Sequence, residues 1–153
     1  MHTSVTGAVT DKKLDDACAA VASEISRTDN KSSLLLAFVG ALLAGLASVA
    51  DKDLPPATKA LGAAAVLALS TAAALLLLVV RPNLNGADKA SFPYWARIDE
   101  EEIRACLDGD TRPAQIRVLS TIAVTKFTRL RHAVHLSLAA LALLLVAALS
   151  ALA

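Results

Sequence analysis

Every Lys, Arg, Asp and Glu of this chain lies outside three stretches, residues 32–50, 60–80 and 133–153. Each stretch is 19 to 21 residues long and built mostly of Leu, Ala and Val, long enough for an α-helix to cross a bilayer. Hydrophobic residues make up 56% of the chain, and a soluble core would spread them in a mixed pattern. Here they come in blocks, which reads as three transmembrane helices. The formal net charge of +1 carries no argument for nucleic acid, because the distribution of charge is what matters.

The last block continues an amphipathic stretch. Ile116, Leu119, Ala123, Phe127, Leu130 and Val134 recur at three- and four-residue spacing, with Arg117, Lys126, Arg129 and Arg131 among them. Pro113 suits a first helical turn, with Thr111 or Asp110 as cap, and neither Gly nor Pro follows. The expectation is one helix over 113–153, about 60 Å long at 1.5 Å per residue. Its part 113–132 stands outside the membrane and 133–153 spans it.

Charge asymmetry orients the chain. The loop 51–59 holds two Lys and two Asp, while the remaining thirteen Lys and Arg lie in the N-terminal segment and in 81–132. By the positive-inside rule the N-terminus and the long loop are cytosolic, the short loop is outside, and the C-terminus ends at the outer face. Five acids and four bases precede the first block, which excludes a secretory signal peptide. Cys18 and Cys106 then face reducing cytosol without a partner motif, as free thiols and not as a metal site.

At the other end, residues 1–10 show no pattern and read as frayed. Over 11–31, Leu14, Cys18, Val21, Ile25 and Thr28 trace a helical stripe that leads into the first span, with a kink or fresh cap expected near Thr28-Asp29-Asn30. The two pre-membrane helices are parallel and of equal reach, so they are expected to pack on each other. Setting Ser32 level with Ala133 brings Asp29 to Arg129 and Arg131, Glu24 to Thr125 and Lys126, and Asp15 and Asp16 to Ile116 and Arg117. The fold class is therefore an all-α membrane protein with three transmembrane helices, the first and third extended into the cytosol as a parallel helical bundle, plus one short amphipathic helix.

That short helix falls within 81–112, at 99–108. Asp99 and Glu102 form an acidic capping box, Ile98 and Ile103 its hydrophobic staple, and Glu100 and Arg104 an i, i+4 pair. It follows a loop over 83–93 and ends at Gly109. Phe92, Tyr94 and Trp95 precede it, as a headgroup anchor or plug, or in the sharper reading as a base-stacking face. No phosphate loop, nucleophile elbow, zinc-type His pair or Cys pair occurs, so neither catalysis nor a bound metal or cofactor is expected. His132 and His135 read as interfacial residues. Gly40 with Ala44 and Ala41 with Gly45 are small-xxx-small pairs, and three thin helices favour a homo-oligomer.

Ile25-Ser26-Arg27-Thr28-Asp29-Asn30-Lys31-Ser32-Ser33 at the first span resembles the start of the first span in the Pycsar transmembrane effector family. Arg81-Pro82, the patch 92–95, and the segments 115–120 and 126–131 before the last span are similar too. The resemblance covers the chain from Ile25 onward. It implies a bacterial inner-membrane anti-phage effector: a partner cyclase makes cyclic UMP or cyclic CMP, and the effector responds by impairing the membrane, causing abortive infection. The chain has no strand pattern for a cyclic-nucleotide-binding β-roll, so the cytosolic helices would hold the ligand. Trp95 as base platform, with Arg97, Arg104, Arg117, Lys126 and Arg129 as phosphate contacts, are the candidates. The lipid bilayer is a partner, and DNA and RNA are not. The competing reading is a small membrane scaffold or plasmid-transfer-associated protein that binds lipid or a protein partner without a nucleotide.

Overall fold

The computed structural model describes residues 2–81, 91–107 and 110–152. All its regular elements are helices: α1 (His2–Ala47), α2 (Pro56–Val80), α3 (Phe92–Trp95), α4 (Glu100–Leu107) and α5 (Arg112–Leu152). Three of them, α1, α2 and α5, are long and apolar enough to cross a membrane. The segment 82–90 and Gly109, expected as loop and helix stop, lie outside the described residues.

α1 starts at His2 and passes without a break through Thr28-Asp29-Asn30. The serines one turn on satisfy their own hydroxyls by bonding backwards within the helix. Ser32 Oγ donates to the Thr28 carbonyl at 2.8 Å and Ser33 Oγ to the Asp29 carbonyl at 3.0 Å, leaving the backbone ladder intact. α1 ends at Ala47, where Ser48 Oγ donates to the Gly45 carbonyl at 2.7 Å. Pro55 and Pro56 then open α2, four residues before the charge-free block begins; proline at the first helical position has no amide to leave unsatisfied.

The chain divides into two compact units. One gathers Met1–Arg27 with Pro82–Lys126, the other Thr28–Arg81 with Phe127–Ala153, so α1 and α5 each contribute to both. In the second unit α2 runs antiparallel to α5, for its first turn meets the end of α5 at a Thr58–Ser150 hydroxyl pair 3.0 Å apart. Val39, Ala65, Leu69, Ala72, Leu76, Ala133 and Ala140 form the buried cluster.

The buried positions follow a seven-residue repeat. On α2 they are Thr58, Ala65, Leu69, Ala72, Leu76 and Val79, and on α5 Ala123, Ala133, Ser137, Ala140 and Ala147. Spacings of three and four, and their sums of seven and ten, average about 3.5 per turn, the period that keeps one seam facing a partner helix along its whole length. The expected α5 stripe drifted off this seam at Phe127 and Val134, which are 42% and 38% exposed; Lys126 and Ala133 take the inward places. A period of 3.6 follows an isolated helix, and packing shortens it. Four of the five buried α5 positions are alanine, and such small side chains let neighbouring backbones approach closely.

Candidate functional site

The charged unit is assembled from α3, α4 and the first parts of α1 and α5. Its best-organised feature is Arg112, the first residue of α5. Nε donates to Asp110 Oδ1 at 2.8 Å, Nη1 to Asp15 Oδ1 at 3.2 Å and to the Asp11 carbonyl at 3.1 Å, and Nη2 to Asp11 Oδ1 and to Asp110 Oδ2. A guanidinium has five N–H donors, and all are used. Asp110 also accepts the Arg112 amide at 3.1 Å, which ends the turn before α5. The Arg112 side-chain hydrogen bond holds the Asp110 carboxyl below its usual range against a smaller opposing effect of burial. The same contacts, Asp110 first, raise the guanidinium further above its already high value.

This clasp ties α1 to α5 across about a hundred residues of chain. Because three carboxylates surround one cation, it carries net negative charge and does not attract an anion. Sequence reasoning passed over Arg112. Its signal was present in Asp11 and Asp15, which at i, i+4 lie on one helical face and call for a common cation.

The sequence-expected residues are distributed as follows. Trp95 is half-buried in the single turn of α3, where its amide and that of Tyr94 bond the Ser91 carbonyl, and Pro93 beside it is buried. Arg97 is exposed, and its amide bonds the Tyr94 carbonyl at 3.0 Å. Asp99 caps α4 as the pattern implied, accepting the amides of Glu102 at 2.8 Å and Glu101 at 3.1 Å. Arg104 is paired with Glu100 at 3.6 Å. Arg117 is exposed on α5 with no side-chain partner among the described residues. Lys126 is half-buried on the α5 seam.

Glu24 accepts from Arg27, three residues on, at 2.9 Å, and Asp29 is half-buried. Arg131 is exposed. Arg129 belongs to the second unit, where Nη1 donates to the Leu78 carbonyl at 3.1 Å. Cys18 and Cys106 are half-buried free thiols.

Three membrane-length helices, two of which also help build a charged helical module, define a multi-pass α-helical membrane protein. Residues 13–153 match the sequence model of the Pycsar effector protein domain, and the chain belongs to that family. It is a membrane effector of anti-phage defence. No curated protein and no solved structure matches it.

Proposed function

We propose that the chain senses a cyclic pyrimidine mononucleotide, cyclic UMP or cyclic CMP, with the charged unit, and that the ligand makes the spanning helices impair the bacterial inner membrane. It does so without catalysis, as a homo-oligomer whose N-terminus and charged unit face the cytosol and whose C-terminus lies outside. The observation that carries this reading is the extent of the family match: one domain, residues 13–153, takes in both the charged helices and all three spans. The positive-inside distribution supports the orientation. The ligand needs an anion contact and a base platform. Arg117 supports the first because it is exposed and has no side-chain partner among the described residues, and Trp95, half-buried beside a buried Pro93, supports the second. Arg104 and Arg129 already hold partners and are weaker candidates.

A nucleotide that prefers one packing of the charged unit shifts the population toward it by its differential affinity. The test is thermal unfolding of the full-length protein in detergent, titrated with cyclic UMP and cyclic CMP beside cyclic AMP and cyclic GMP. A ligand that binds only the folded state adds about 2.7 kcal/mol at a hundred times its Kd. A shift selective for pyrimidines, lost in Arg117→Gln, supports the reading. No shift from any of the four, in folded and oligomeric protein, overturns it in favour of a scaffold that binds lipid or another protein.

A further inference from the structure

α2 is the one spanning helix that contributes nothing to the charged unit. Along its middle it meets its neighbours through Ala65, Leu69, Ala72 and Leu76, which offer dispersion and no polar contact. Between helices in lipid there is no hydrophobic force, because the chains of the lipid are as apolar as leucine. Polar contacts therefore weigh heavily in deciding whether α2 stays in place, and α2 has one to α5 at each end.

At its C-terminal end the Leu78 carbonyl is one of the last-turn acceptors that no amide of the helix can reach. Arg81, the C-cap, already places one positive charge at the negative end of the helix, and Arg129 of α5 adds a second while supplying the donor to the Leu78 carbonyl at 3.1 Å. At the N-terminal end Thr58 and Ser150 are 3.0 Å apart. Ser150 Oγ donates to the Ala147 carbonyl at 2.8 Å, so its single proton is used and Thr58 must be the donor.

We propose that these two clasps form a latch that holds α2 closed against α5, and that membrane impairment requires α2 to leave it. The proposal rests on the effector reading above for what opens the latch. A charge-assisted bond of the Arg129 kind biases a two-state equilibrium by roughly tenfold, so that losing it raises a small open population by about that factor.

The experiment uses full-length protein in liposomes that hold a self-quenched dye, with Cys18 and Cys106 replaced by alanine. Arg129→Ala is expected to raise dye release without nucleotide by roughly tenfold, and Arg129→Lys, which restores a charged donor, to bring it most of the way back. Thr58→Cys with Ser150→Cys places two sulfurs where the hydroxyls now meet; a disulfide closes to about 2.05 Å. Oxidised, this pair is expected to abolish both the release caused by Arg129→Ala and that caused by cyclic UMP or cyclic CMP, and reductant is expected to restore both. Equal basal release from Arg129→Ala and the parent protein, or undiminished release through a pair shown by gel mobility to be cross-linked, overturns the latch. Failure of both nucleotides to release dye from the parent protein sinks the sensor reading alone, since Arg129→Ala and its block by the disulfide need no ligand.

Discussion

Leu76 and Leu77 are neighbours on α2, but the first is fully enclosed and the second is 58% exposed. In a water-soluble core, Leu→Ala costs about 2.7–5.0 kcal/mol, of which the transfer of three carbons accounts for roughly 2.4. A spanning helix that leaves its bundle remains in hydrocarbon, so the transfer contribution cancels. What remains for Leu76→Ala is lost packing, about 0.5–2.5 kcal/mol. Leu77→Ala exchanges side-chain contacts for lipid contacts and is expected to stay within about 0.5 kcal/mol of the parent. Leu69, fully enclosed, and Leu67, largely exposed, repeat the comparison two turns earlier. The assay is reversible unfolding in mixed micelles titrated with sodium dodecyl sulfate and followed by far-ultraviolet circular dichroism. Equal losses at Leu76 and Leu77, or a larger loss at Leu77, would refute the seam on which the bundle is built.

Three further outcomes follow from particular contacts. Ala133→Leu forces three carbons into a fully enclosed seam position and is expected to cost about 1–3 kcal/mol, whereas Val134→Leu, beside it on the exposed face, is expected to be neutral in the same titration. Asp99→Ala removes both capping bonds of α4 and is expected to cost about 1 kcal/mol; an eight-residue helix has little to spare, so amide exchange over Glu100–Leu107 should quicken while that of α2 stays unchanged. Asp110 is held below its ordinary value of 3.8 by Arg112, so the stability this pair contributes is complete above that pH and is lost as pH falls through the depressed pKa. Asp110→Asn should lower stability at neutral pH and flatten this part of the acid profile, and an unchanged acid limb in the variant would contradict the assignment.

The existence of three spans was legible because lipid imposes a length and a charge rule that any sequence must obey, and residues 32–50, 60–80 and 133–153 obey both. The α4 cap was legible for a related reason. Asp99 reaches only two and three residues forward, so local order alone decides its bonds. The seam of α5 was half legible: Ile116, Leu119 and Ala123 lie on it, but Phe127 and Val134 do not. Of the role of Arg112 only the acid pair Asp11 and Asp15 was legible, as a demand for some cation, and the role of Arg129 was not legible at all. Their acceptors lie about 100 and 51 residues away in sequence, and nothing local marks a carbonyl of α2 as an arginine's partner.

The sequence by itself thus determined the helical class, the membrane setting and the start of α4, since each follows from the chain's own neighbours and from the solvent around it. Only the tertiary structure decided which face of each helix turns inward and which charges meet. Those outcomes depend on a partner surface: packing shortened the 3.6-residue period to 3.5, moved Lys126 and Ala133 inward in place of Phe127 and Val134, and gave Arg129 a helix end to cap.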